Sequence, residues 1–218
     1  MKTRSNEIRQ AKGGEQAILD AAETLFAAKG FDAVSMSAIA KLADTSKPNI
    51  YHHFKSKHDL YLAVMHAAAD RFSALLDALA EAPGTSRQRL ADFSTGHLGN
   101  ILDHKLTTQL ILRDALSGGS ERGLEIAKHV VGESFARLVA MVQQGQHDKE
   151  FRTDIDPALA AFMVVATNLF FFQAGPVMQH LPEARFSNNP GDYCDGVMDI
   201  LFNGLLRRGD KKCGDEKS

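Results

Sequence analysis

From Lys47 to His53 the chain reads Lys-Pro-Asn-Ile-Tyr-His-His, a run dense in groups that can read a nucleic acid. An ammonium such as that of Lys47 donates to guanine, the Asn49 amide can pair bidentately with adenine, and the Pro48 ring offers an apolar contact to a thymine methyl. Ile50 and Phe54, four apart, point inward on a helix, which leaves Lys47, Asn49, Tyr51, His52 and His53 at the surface or its margins. Other chemistry is poorly represented. No nucleophile elbow, HExxH, phosphate loop or dinucleotide fingerprint occurs, so no catalytic residue is assigned and no enzyme is expected. His52, His53, His58 and His66 lie close in sequence, but adjacent histidines point apart on a helix. No Cys or carboxylate pattern completes a zinc site, so neither metal nor cofactor is expected.

The flanking residues supply the elements that would hold this run outward. Ser35 or Ser37 can cap a short helix on which Ile39, Ala40 and Ala43 share one face. Ala43-Asp44-Thr45 makes a tight turn, because Asp tolerates a left-handed backbone. Ser46 can cap the next helix, and Pro48 falls in its first turn, where a missing N–H costs nothing. Ser56-Lys57-His58-Asp59 has the form of a capping box opening a further helix. Before all of these, Ile18, Ala21, Ala22, Leu25 and Phe26 form one stripe of an amphipathic helix over 15–29, stopped by Gly30. Helix, short turn, helix with an outward polar edge is the helix-turn-helix plan, whose second helix enters the major groove.

Composition sets the bounds. The chain has 218 residues, 44% of them apolar and 24% charged, as expected for a soluble globular protein of one large core or two domains. No run of 18 apolar residues occurs, and the N-terminus lacks the apolar core of a secretory signal, so no membrane association is expected. Cys194 and Cys213, the only cysteines, fit a reducing cytoplasm. Net charge is −2, but residues 1–60 carry nine Lys and Arg against seven Asp and Glu, so positive charge gathers where the polar run lies. A short DNA site needs a local basic surface, not a basic whole.

The rest of the chain reads as helix. Residues 1–14 are polar and weakly basic and read as a mobile arm. One long helix runs from Lys57 to about Leu79 and joins the two parts without a flexible linker. Further helices are expected over Arg87–His104, Lys105–Ser117 (broken by Gly118-Gly119), Glu121–His147, Pro157–His180 and Asp192–Arg208, with a frayed charged tail. No period-two strand pattern appears. The expected fold is all-α, with about nine helices. The helix over 157–180, containing Leu169-Phe170-Phe171-Phe172, is apolar all round and must be covered on more than one side.

Lys29-Gly30-Phe31, Ile39-Ala40 and Tyr51-His52-His53-Phe54-Lys55-Ser56-Lys57, followed by Leu60, resemble the N-terminal pattern of the TetR/AcrR family of bacterial transcriptional regulators. The match runs in register without gaps over roughly residues 15–62, with Asp44 standing where the family usually has Gly. The resemblance implies a helix-turn-helix DNA-binding domain over 1–62. It also implies a helical bundle over 63–218 for ligand binding and dimerisation. By the same resemblance Ser37, Lys47, Pro48, Asn49, His52 and His53 sit where operator contacts are made, with Ser46 at the helix start. Ser35, Tyr51 and Lys57 sit where phosphates are contacted.

Pairing of the last two long helices with their copies, as in the family, would bring Leu169, Phe171, Tyr193, Val197, Ile200, Leu201 and Leu205 to a homodimer interface. Two-fold symmetry would let one molecule read two half-sites. In the family the second domain holds a small-molecule site. Candidate walls here are Phe93, His97, Ile101, Leu110 and Arg113, with Phe135, Leu138, Phe162, Met163 and Phe170, a lining suited to a mainly apolar effector. The expected function is then a ligand-responsive repressor on a double-stranded operator. The alternative is an architectural or adaptor protein with a protein partner and no small effector. A cavity above about 300 Å³ would favour the first, and a filled one the second.

Overall fold

The computed structural model describes residues 2–116, 124 and 131–203, with residues 2–13 and 115–116 as backbone only. Among these are nine α-helices and no strand. They are α1 (Lys2–Lys29), α2 (Met36–Leu42), α3 (Lys47–His53), α4 (Lys57–Ala80), α5 (Ser86–Asp103), α6 (Lys105–Leu116), α7 (Gly132–His147), α8 (Pro157–Met178) and α9 (Pro190–Asn203). The expected arm does not appear, because α1 is already helical at Lys2. A short 3-10 turn, Arg185–Asn188, interrupts the expected loop before α9. The expected break at Gly118-Gly119, the helix start at Glu121, Leu205 and the tail with Cys213 lie outside the described residues.

Side-chain caps set the helix starts. Ser35, Ser46, Ser56 and Thr85 each accept the amide proton three residues on, and Asp156 accepts that of Ala158, so the first orphan N–H groups of five helices are satisfied. Between α2 and α3 the Thr45 amide reaches back to the Ala40 carbonyl at 2.9 Å while Asp44 takes φ +48°, which is a Schellman turn with Asp in the left-handed position.

Two apolar cores lie along α4. The first joins Ile18, Ala22 and Phe26 of α1 to Ile39, Ile50, Leu60 and Tyr61. It also takes in Val64, Met65 and, from α6, Leu110, so its packing extends past residue 62. The second gathers Leu76 and Leu79 with Phe93, Leu138, Val142, Ala161, Val164 and Met198. By length and composition α8 could cross a membrane. It packs instead against α5 and α7, and its Asn168, wholly buried, donates to the Ser94 carbonyl of α5 at 2.8 Å. A polar anchor of that kind belongs to a helix held in a bundle.

Behind α7 the chain turns sharply. The Glu150 carboxylate accepts from the Ser86 and Arg87 amides at the start of α5, and these bonds hold its pKa below the usual carboxylate value. Gly145 is buried under this turn. A Cβ there would overlap the Phe151 ring and lie 3.0 Å from Ser86 Cβ, while Phe151 is itself stacked on Phe202. We expect Gly145→Ala to cost about 1–3 kcal/mol through overpacking, despite alanine's better helix propensity. Gly99→Ala, where a Cβ meets nothing within 4 Å, should be neutral or stabilising. Urea unfolding of the two variants tests this, and equal effects would refute it.

Candidate nucleic-acid interface and bundle cavity

Ser46 starts α3 and Ile50 anchors it, fully buried, against α1 and α2, which leaves the opposite edge in solvent. Lys47, Pro48, Tyr51 and His52 are exposed there, Tyr51 at 46%, and Ser35 and Ser37 lie exposed at the start of α2. The His52 and His53 rings stack 5.4 Å apart. Besides the caps Ser35 and Ser46, further sequence candidates are engaged inside the protein. The half-buried Asn49 spends an amide proton on Thr45 Oγ1 at 2.9 Å, and His53 Nδ1 lies 3.8 Å from the Glu15 carboxylate.

Lys57 departs furthest from expectation. Its ammonium donates to the carbonyls of Phe31 and Val34, both at 2.9 Å, and sits 4.3 Å from the centre of the Phe31 ring. It closes the loop between α1 and α2 from within the protein. Loop carbonyls have lone pairs to spare for a cation, and sequence spacing cannot show that.

The second part holds a partly open cavity of about 150 Å³ between α4, α5, α6, α7 and α8. Of the expected walls, His97, Ile101 and Phe135 line it. Phe93, Leu110 and Leu138 are wholly buried in the cores and do not reach it. Arg113 points the other way, donating to the Phe26 and Ala27 carbonyls at 3.1 and 2.8 Å and so capping the end of α1. Phe162, Met163 and Phe170 lie exposed on the outer face of α8, at 56%, 40% and 69%.

The expected interface residues divide as well. Leu169 faces the cavity. Phe171 is buried against Tyr193, whose hydroxyl donates to the Thr167 carbonyl at 2.6 Å, so this pair fastens α9 to α8 within one chain. Leu201 packs on the second core, Val197 is half-buried and Ile200 is exposed.

Apart from His97, the polar groups on the cavity wall went unrecognised in the sequence. Arg71 of α4 donates to Thr107 Oγ1 of α6 at 3.4 Å, and the Thr107 hydroxyl in turn donates to Glu23 of α1. Burial lowers the Arg71 pKa, opposed by the charges of Glu23 and Asp70. Ser134 and Ser73 share a hydrogen bond of 2.7 Å. His97 is buried, and desolvation takes its pKa down to about 4. Asn168 Nδ2, already facing the Ser94 carbonyl, also lies 3.3 Å from His97 Nδ1, which makes that nitrogen an acceptor and leaves the imidazole proton on Nε2. A visible signal was a lone Asn in the apolar run of α8, and Arg71 beside Phe72 on a helix whose alanines leave space.

Residues 18–64 match the family model described as bacterial regulatory proteins, tetR family. The regulator RutR of Escherichia coli K12 is 27% identical over 215 residues, covering 95% of this chain and 98% of RutR. Among solved structures, Bacillus subtilis FadR in complex with stearoyl-CoA shares the fold, with TM-score 0.71 at 18% identity over 88% of this chain and 99% of FadR. A TetR/AcrR regulator from Thermobifida fusca superposes with TM-score 0.61 at 25% identity over 88% of this chain and 98% of that one. With its helix-turn-helix edge turned to solvent, the chain carries the tetR-family DNA-binding domain over residues 18–64 and is similar along its length to TetR/AcrR transcriptional regulators.

Proposed function

We propose that this chain is a repressor that binds a palindromic operator as a homodimer, in the cytoplasm, and releases it when a small, mainly apolar molecule fills the bundle cavity. In this reading residues 1–62 grip DNA and residues 63–218 hold the effector and the partner subunit. The observation that carries it is where the cavity lies. Its walls include α4 and α6, and both helices also hold α1, through Arg71, Thr107 and Glu23 and through Arg113 at the end of α1. Effector and operator would each favour a different setting of these helices, so each lowers the other's affinity by the same factor.

The void is open, yet at about 150 Å³ it falls below the 300 Å³ guide value, so its lining rather than its size favours an effector over the adaptor alternative. Stearoyl-CoA, held by Bacillus subtilis FadR, is far too large for it, which points to a more compact molecule here. Dimerisation is supported by Leu159, Phe162, Phe170 and Val177, exposed along α8 with Ile200 of α9. An apolar face of this kind on a soluble chain calls for a partner.

Selection of DNA from a random pool, followed by footprinting and sedimentation of the complex, tests the reading. The expected site is two-fold symmetric, with half-sites about 34–36 Å apart or a multiple of that, bound by an even number of chains. Native mass spectrometry of the protein as isolated should find a small molecule that weakens operator binding about 5–150-fold. A single chain on an asymmetric site would refute the dimer, and a co-isolated protein with no small molecule would favour the adaptor.

A further inference from the structure

We propose that the effector is a small organic monoanion, a carboxylate on a compact apolar body, and that its carboxylate takes Arg71 while the body fills the void between Phe72, Ile101, Ile111 and Phe135. This rests on the effector reading above and adds the ligand's chemical class. A cavity of about 150 Å³ with apolar walls accepts a body the size of benzene. Among its described lining residues there is no Asp or Glu, and Arg71 is the one full cation. Among the described residues the only hydrogen-bond acceptor that the guanidinium meets is Thr107, at 3.4 Å, near the limit of a hydrogen bond. The guanidinium thus stands on the cavity wall with one weak hydrogen-bond partner, and a carboxylate is the group that matches its planar fork.

Glu23 stands on the far side of Thr107, bonded to its hydroxyl and attracted to Arg71 through space. A ligand carboxylate would compete with Glu23 for that charge. Because Glu23 belongs to α1, the competition would be felt in the helix that supports the DNA-binding edge.

Calorimetry of the full chain at pH 7 with benzoate and its neutral isostere benzamide tests the proposal. We expect benzoate to bind about ten- to a hundredfold more tightly than benzamide, the difference that bonds to an ionised group make. Arg71→Gln should bring benzoate to the level of benzamide and leave benzamide unchanged, Arg71→Lys should fall between, and Glu23→Gln should tighten benzoate. Equal binding of the two probes to the unmodified protein, or binding of neither up to about 10 mM, overturns the proposal without any variant having to fold. Finding a neutral molecule in the native protein that releases the operator would also overturn it while leaving the effector reading intact. No releasing molecule of any kind would overturn both.

Discussion

Lys47→Ala is expected to weaken operator binding by about 30-fold to 10⁴-fold while leaving the free energy of unfolding nearly unchanged. A donor lost from a base edge is worth about 1–3 kcal/mol, and a two-fold assembly loses it twice. Lys47 is exposed at the first position of α3 and meets no partner among the described residues, so the folded chain loses no contact with it. Lys57→Ala should behave in the opposite way. Its ammonium donates to the Phe31 and Val34 carbonyls from a half-buried site, and removing it takes those bonds away. A loss of about 1–3 kcal/mol of stability is expected, with DNA binding falling only as the loop between α1 and α2 loosens. Urea unfolding and salt-titrated operator binding of both variants separate the two roles. If Lys57→Ala kept full stability and reduced the salt slope by about one, Lys57 would be a phosphate contact after all.

Where the sequence was legible, the governing interactions were local. A serine before each short helix bonds an amide three residues away, so Ser46 and Ser56 could be placed as caps from spacing alone, and Asp44 could be put in a left-handed turn. The inward pair Ile50 and Phe54 followed from a four-residue step. The misplacements are long-range. In sequence Lys57 reads as a phosphate contact and Arg113 as a pocket wall, and only the fold brings carbonyls more than twenty residues distant to them. In α8 almost every position is apolar, so periodicity cannot say which side faces the chain's own core. Leu169 was assigned outward and lines the cavity, while its neighbour Phe170 was assigned inward and lies in solvent. The cavity itself is made by what is small, Ala68 and Ala69 opposite Thr107 and Thr108, and absent volume leaves little trace in a pattern of hydrophobic residues.

Acid should find its weak point at His97. The ring is held between Phe72 and Phe93, stacked on Phe93 at 5.4 Å, with Asn168 donating to its Nδ1, and the desolvation cost of charging it places its folded pKa near 4 against 6.5 unfolded. Of the cavity's other titratable groups, Arg71 also disfavours a second positive charge and His104 supplies no negative one. A folded pKa below the unfolded value means that the unfolded chain binds the proton first. Stability is therefore unaffected above about pH 6.5, falls as the pH drops below it, and stops falling from this source near pH 4. From this group alone the loss should reach about 2 kcal/mol at pH 5 and about 3 kcal/mol at pH 4. His97→Phe keeps an aromatic ring in the stack and removes the proton site, at the cost of about 1 kcal/mol at pH 7 for the lost Asn168 bond. Its unfolding free energy should then fall less steeply with acid, and the two proteins should become equally stable between pH 5 and 6. Parallel slopes in urea titrations from pH 7 to pH 4.5 would mean that the imidazole can be protonated in place, with water entering the cavity beside it.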